Sequence, residues 1–267
     1  MAAKTYDFIL VGGGSSACVA ASRLLASGAS VLMLERGPAR ANPIMHYPAG
    51  YMKFLARDTY LMMHRTEPQS QLGGRAPIVP QGRVLGGGGS VNAMVYMRGQ
   101  REDYADWNRA IGGNGTGDWD WDDLLPHYLR QEDNDHLGGA YHGVDGPLKV
   151  SDLGHTSPMT RAWLKTMQGM GVPFTPDFND GDPRGVGLMQ HTIDWRTRRR
   201  CSPVDAFLAP VMDHPNFTLR TRATVQAILW EGHRAAGVAW RENGEAIEAF
   251  AGEVLLAAGA YQTPKLL

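Results

Sequence analysis

A short apolar run that stops at three glycines, a helical period directly behind it, and a second apolar run that ends on an acid together predict an α/β fold. The domain they define is doubly wound and Rossmann-like, built on parallel strands. Residues 146–200 leave this pattern and predict part of a separate α+β domain, and β structure returns from residue 217. The expected organisation is a doubly wound domain in two parts, 1–145 and 201–267, with a lid-like excursion over 38–81. The 146–200 segment is inserted between the parts.

Taken in order, residues 8–11 are too short for a helix and end at Gly12, Gly13 and Gly14, as a buried parallel strand does. From Ser16 the residues Ala17, Val19, Ala20, Leu24 and Leu25 recur at helical spacing until Gly28, which suits a helix C-cap. Residues 30–34 form a second buried strand. The pattern Gly12-x-Gly14-x-x-Ala17 is followed by Glu35, 35 − 12 = 23 positions after Gly12. Gly12 permits a tight turn, Gly14 lets the backbone approach a pyrophosphate, and Ala17 keeps helix and strand close. The helix N-terminus offers free N–H groups and the positive end of its dipole, and Glu35 is placed to accept hydrogen bonds from a ribose diol.

Between 38 and 80 the periodicity weakens, with one short helix expected at 51–55. Long excursions of this kind usually cover a ligand or a partner. Residues 82–99, GRVLGGGGSVNAMVYMRG, are the second organising stretch. Gly86 to Gly89 ask for more than packing. They suit a backbone pressed against a flat or phosphorylated ligand, with a short helix expected from Val91 and Asn92 at its start.

Asp118, Asp120, Asp122 and Asp123 precede Leu124, Leu125, Tyr128 and Leu129, which reads as an N-cap and an acidic first turn rather than a metal site. The nine histidines show no metal-ligand spacing, and His136 and His142 read as surface or loop residues. Residues 148–150 suit an edge strand, and 159–170 a helix closed by Gly171. The basic run 196–200 reads as a solvated turn. Beyond 217, four strand-length runs follow, with Asn243-Gly244 as a hairpin turn and 253–258 as another buried strand ending at Ala258-Gly259.

Composition bounds the rest. With 267 residues, 43% hydrophobic and 20% charged, the chain can bury a large core, and a net charge of −1 gives no reason to expect nucleic acid or an anionic membrane as partner. No apolar run approaches the ~18 residues of a membrane span. Two cysteines, Cys18 and Cys201, make no disulfide framework, and the N-terminus lacks a signal-peptide apolar core, so a cytoplasmic location is expected.

Residues 6–37 together with GRVLGGGGSVNAMVYMRG resemble the glucose–methanol–choline (GMC) family of flavin oxidoreductases. TEPQ at 66–69, REDYADW at 101–107, YHGVDGPLKVS at 141–151 and AAGAYQTPKLL at 257–267 extend the resemblance over nearly the whole chain. It implies that the doubly wound domain binds FAD and that 146–200 belongs to a substrate domain. It implies that Gly12, Gly14, Ser15 and Ser16 hold the pyrophosphate, and that Glu35 and Arg36 take the adenosine side. It further implies that Val225 contacts the adenine through its backbone. In the same reading Val84, Asn92, Ala93, Met94 and Val95 are expected along the flavin, with Gly87, Ser90 and Ala258 in the loops nearest the cofactor.

The activity implied is oxidation of a primary or secondary alcohol by hydride transfer to flavin N5, with oxygen or another acceptor reoxidising the flavin. A hydroxynitrile lyase of the same family and a non-catalytic flavin-binding fragment are the alternatives. Some members attach the flavin through a histidine at the position of Val91, so a non-covalent cofactor is expected here. The family's catalytic histidine lies in its C-terminal part. None of the nine histidines matches that motif, so the catalytic residues are expected beyond Leu267, on a C-terminal portion of the same enzyme.

Overall fold

The computed structural model describes residues 5–40, 42–54, 58–112 and 119–267. In chain order the regular elements are β1 (Thr5–Val11), α1 (Ser15–Ala26), β2 (Val31–Glu35), β3 (Leu61–Arg65), β4 (Ile78–Gly82), α2 (Arg101–Ala110), α3 (Trp121–Gln131), β5 (Glu132–Asn134) and β6 (Leu148–Val150). There follow α4 (Pro158–Gly169), β7 (Ile193–Asp194), β8 (Arg199–Arg200), β9 (Phe217–Thr221), β10 (Thr224–Glu231), β11 (Arg234–Glu242), β12 (Glu245–Leu256) and α5 (Gly259–Leu266). Two compact units result, one from residues 1–93 and 202–267, the other from 94–201.

In the first unit a six-stranded sheet has the order β10-β11-β12-β1-β2-β9. β12, β1, β2 and β9 run parallel, while β10, β11 and the first half of β12 are antiparallel. All five residues of β2 are buried, which is what a strand covered on both faces requires. Ile9, Val11, Leu32 and Leu34 share one core cluster with Val238 and Trp240 of β11. Leu10, Val31 and Met33 point the other way and are equally buried, as are Ala17, Cys18, Ala21 and Leu25 of α1. Small residues on α1 allow the helix to lie close. Gly28 (φ +88°) closes it, with its own N–H and that of Ala29 donating to Leu25 and Leu24.

β12 differs from expectation. Residues 246–252 and 253–258 read as two strands, yet they form one strand of 12 residues that changes partner along its length. Residues Glu245 to Phe250 pair antiparallel with β11, and Phe250 to Leu256 pair parallel with β1. The pattern changes from alternating to continuously apolar because the environment changes, not because the strand ends. Asn243 (φ +52°) and Gly244 (φ +88°) make the left-handed pair expected of the hairpin turn. In the excursion, the helix expected at 51–55 is a 3₁₀ turn, Pro48–Lys53, and Leu55 lies outside the described residues. β3 and β4 form an antiparallel hairpin that the weak periodicity does not reveal.

The second unit pairs β5 with β6 and β7 with β8 and also contains α2, α3 and α4. Asp120 is the N-cap position of α3, with Asp122 and Asp123 in its first turn, while Asp118 lies outside the described residues. α4 ends before Gly171 (φ +89°). The basic run forms the turn and second strand of the β7–β8 hairpin.

Contacts divide the chain at 93/94, whereas the sequence places its first boundary at 145/146. A buried polar network shows why. Arg98 pairs with Glu132 at 2.5 Å, and its backbone N–H donates to Asn179 Oδ1 at 2.8 Å. His142 Nδ1 lies 2.9 Å from Glu132 and Nε2 lies 2.8 Å from Asp177. His142 is therefore a loop residue but not a surface one, being 5% exposed. A buried polar ring is tolerable only when both of its nitrogens are satisfied, and two carboxylates do this.

Burial works to lower the His142 pKa, but the hydrogen bonds and charges of Asp177 and Glu132 outweigh it and push the group from 6.5 up to about 9. The same contact holds the Asp177 carboxyl below its usual range against its own desolvation. Stability from a raised histidine is fully present below its unfolded value of 6.5 and is lost as pH rises through about 9. The thermal midpoint of the second unit's transition should therefore fall between pH 6.5 and 9. In His142→Gln it should start lower and fall less over that interval, which calorimetry across the pH series checks.

Candidate functional site

The glycines after β1 and those before Val91 meet at the C-terminal end of the parallel strands. Gly86 N–H donates to Gly13 O at 2.7 Å, so the two stretches are joined backbone to backbone. Gly12 (φ +103°) turns the chain beneath the end of β12, where a Cβ would lie 2.4 Å from Ala257 O. Gly14 is different. The nearest atom a Cβ would meet there is 3.9 Å away, so its face is open.

The four consecutive glycines correct the sequence reading, because packing accounts for three of them. A Cβ on Gly86 would lie 2.2 Å from Ser90 Oγ, one on Gly87 2.9 Å from Gly14 Cα, and one on Gly89 2.4 Å from Pro203 Cδ. Only at Gly88 would a Cβ meet nothing within 4 Å. The helix expected from Val91 is also absent. A 3₁₀ turn, Gly87–Ser90, ends there, and Val91 is its C-cap.

A cavity of about 940 Å³ opens at this junction, near the upper end of the ~300–1,000 Å³ usual for small-molecule and cofactor sites. Ten of the residues expected from the sequence line it: Gly12, Gly14, Ser15 and Ser16 at the first turn, Glu35 and Arg36 at the end of β2, Gly87 and Asn92 from the second loop, and Val225 and Ala258. Five do not. Val84 is buried in a separate cluster with Met45, Phe54 and Leu61. Ser90 is buried and donates to Leu85 O at 2.8 Å, holding the glycine turn from within. Ala93 is exposed outside the lining. Met94 and Val95 belong to the second unit, where Met94 O accepts from Thr192 N–H at 2.8 Å and Val95 bridges to His191.

Sequence reasoning missed Thr224, Ala257, Thr263 and Gln81 as lining residues. For Ala257 the signal exists, because a strand that pairs parallel to β1 must deliver its C-terminal end beside Gly12. Thr224 and Gln81 carry no local signal.

Two polar features dominate the cavity. α1 begins without a side-chain cap and with no acid in its first turn, so its leading N–H groups and its positive dipole end are unanswered beside Gly14, Ser15 and Ser16. Glu35 is 6% exposed, and each of its oxygens is held by backbone: Oε2 accepts from Gly13 N–H at 2.7 Å and Oε1 from Gly37 N–H at 2.6 Å. Burial pushes its pKa up, while these two bonds and the Arg36 charge pull the other way. Among the described residues, Glu35, Arg36 and Arg83 are the ionisable groups in the lining, and none of the nine histidines is there.

Fold and site define a dinucleotide-binding α/β protein. Residues 6–267 match the family described as GMC oxidoreductase, and the chain belongs to that family. It is 37% identical to mitochondrial choline dehydrogenase of Mus musculus over 98% of its own length and 44% of that protein's. It is 36% identical to alcohol dehydrogenase [acceptor] of Pseudomonas putida, over 98% and 47%. Among solved structures it resembles pyridoxine 4-oxidase from Mesorbium loti, with a TM-score of 0.91 at 32% identity over 98% of this chain and 51% of that one. An FAD-dependent oxidoreductase from Chaetomium thermophilum gives 0.90 at 30% identity, over 98% and 47%. The chain spans about half the length of the curated relatives it matches.

The cofactor of this family is FAD, and the residues present fit it. An uncapped helix N-terminus suits a pyrophosphate, and Gly14 and Gly88 leave their faces open to a close-lying ligand. Gly88→Ala should therefore leave the thermal midpoint unchanged yet weaken FAD by about tenfold, read by quenching of flavin fluorescence. Gly89→Ala should cost about 1–3 kcal/mol in urea unfolding, because its Cβ meets Pro203.

Proposed function

We propose that the chain is the cofactor-binding part of an FAD-dependent oxidoreductase that oxidises a primary or secondary alcohol by hydride transfer to flavin N5. The observation that carries this reading is the uncapped start of α1 beside the open face of Gly14 in a cavity of about 940 Å³. Similarity to choline dehydrogenase, to alcohol dehydrogenase [acceptor] and to pyridoxine 4-oxidase supports an alcohol-type donor.

In this reading the N–H groups at the start of α1 and the hydroxyls of Ser15 and Ser16 hold the pyrophosphate. Glu35, whose oxygens keep lone pairs beyond those used by Gly13 and Gly37, accepts from the ribose hydroxyls. Arg36 lies on the adenosine side, and Val225 meets the adenine through its backbone. Asn92 and Ala258 orient the flavin end. Bound FAD supplies a two-electron acceptor. The residues of this chain bind it, orient it and exclude water with Val11, Leu34 and Leu256. The base that takes the hydroxyl proton lies outside these 267 residues, in the polypeptide corresponding to the relatives' remaining half. Val91, where an attaching histidine would stand, leaves the cofactor non-covalent.

Denaturing the flavoprotein in acid should release all flavin into the ultrafiltrate as free FAD, and flavin retained on the chain would contradict the non-covalent assignment. The activity is tested on the complete polypeptide by anaerobic titration with primary and secondary alcohols, choline included. One of them should bleach the flavin stoichiometrically. A flavin that stays oxidised while a cyanohydrin is cleaved would identify a lyase instead.

A further inference from the structure

A second cavity, of about 560 Å³, lies in the same unit and is lined by Arg36, Arg83, Lys265, His64, Tyr261 and Asp58 among others. Among the described residues its walls carry three basic side chains and a single carboxylate. None of Arg36, Arg83 and Lys265 forms an ion pair with a described residue, although other described residues do, Arg40 with Asp205 and Arg98 with Glu132 among them. The two arginines are nevertheless held by neutral contacts. Arg83 donates to the backbone oxygen of Asp58 at 2.7 Å, and Arg36 leans on Met62 Sδ at 3.6 Å.

Like charges gathered around a concave wall repel one another, and such a group is stabilised by an anion that sits between them. His64 points the same way. Its ring rests against Tyr261 with centroids 5.3 Å apart, and its buried Nε2 has no partner among the described residues. A cavity of this volume is larger than a single inorganic ion needs. It suits the phosphorylated end of an organic molecule, with two guanidinium forks and one ammonium set around the terminal oxygens.

We infer that this cavity is a second anion site, one that takes the phosphate group of a small molecule other than the cofactor. Arg36 and Arg83 line both cavities, so the two sites share a wall, whereas Lys265, His64 and Asp58 face the second cavity alone. The inference goes beyond the oxidoreductase reading and does not rest on it.

The experiment is calorimetric titration of pyrophosphate into the 267-residue chain saturated with FAD, at low ionic strength, with acetate at matched ionic strength as the control. One pyrophosphate per chain should bind saturably, weakening as salt is raised. Lys265→Glu should weaken it at least tenfold, and Asp58→Asn should tighten it about threefold, while the FAD affinity of both variants stays within twofold. Because the two variants move the affinity in opposite directions, impaired folding cannot imitate the result. Four outcomes would overturn the proposal: no saturable binding, equal binding of acetate, binding indifferent to Lys265→Glu, or displacement of one FAD per pyrophosphate. The last would place the phosphate in the dinucleotide cavity. A failure to bind FAD at all is seen separately, in the fluorescence titration, and bears on the oxidoreductase reading alone.

Discussion

Gly86 N–H donates to Gly13 O at 2.7 Å, and a single Cβ on Gly87 would come within 2.9 Å of Gly14 Cα. At these separations the two glycine stretches are one piece of backbone, and no side chain fits between them. Everything at the site depends on that approach. The first stretch is fixed by β1 and by the oxygen of Ala257 at the end of β12, and the second by Ser90 beneath it and Pro203 beside it. A cofactor site that touches both stretches is therefore held by the central sheet and by residues 202–208 together. Arg40 strengthens the second anchor through its paired contacts to Asp205 at 2.7 Å, and that carboxyl is held below its usual range by Arg40 and by Ser202 against its own desolvation.

Glu35 adds a second constraint from inside. A carboxylate buried at the end of a parallel strand costs free energy unless its oxygens are satisfied, and Gly13 and Gly37 satisfy one each. The same group thus fixes the turn over which a ligand lies. Its substitution would disturb the Gly13 backbone as well as any ribose contact, so loss of affinity alone cannot separate the two roles. Close approach explains why both donors are glycines: at Gly13 a Cβ would fall 2.9 Å from Leu85 Cδ1 and 3.0 Å from Glu35 Cβ. At Gly37 a Cβ would fall 2.2 Å from Arg83 O.

How much of this was legible depended on whether a residue's reason is local. β1, α1 and β2 were legible because strand and helix periods are properties of a few consecutive residues, and the Asn243-Gly244 turn because positive φ selects its own residues. The lining residues Gly12 to Ser16 followed from that local pattern, and those of the second loop from the resemblance. The causes of Gly86, Gly87 and Gly89 were not legible, since they are Ser90, Gly14 and Pro203, and only the fold brings the last two near. His142 reads as a loop histidine because Glu132 and Asp177, ten residues before and 35 after it, are what bury it. β12 reads as two strands because its partner changes from β11 to β1 at Phe250, and with it the pattern of apolar positions.

The histidines separate binding from chemistry. A general base must stand within hydrogen-bond reach of the proton it takes and must have a free lone pair there. His142 has carboxylates on both nitrogens and holds its proton up to about pH 9, so it cannot accept another at neutral pH. His46 is engaged by Arg40 at 2.7 Å, and His64, with its unpartnered nitrogen, faces the second cavity rather than the first. What lines the larger cavity instead, among the described residues, is apolar side chains, backbone, hydroxyls and amides, the cations Arg36 and Arg83, and the carboxylate of Glu35, each of whose oxygens already accepts one backbone N–H of the glycine turns. Such a lining can select, orient and desolvate a dinucleotide, but none of its described residues is a histidine poised to move a substrate proton.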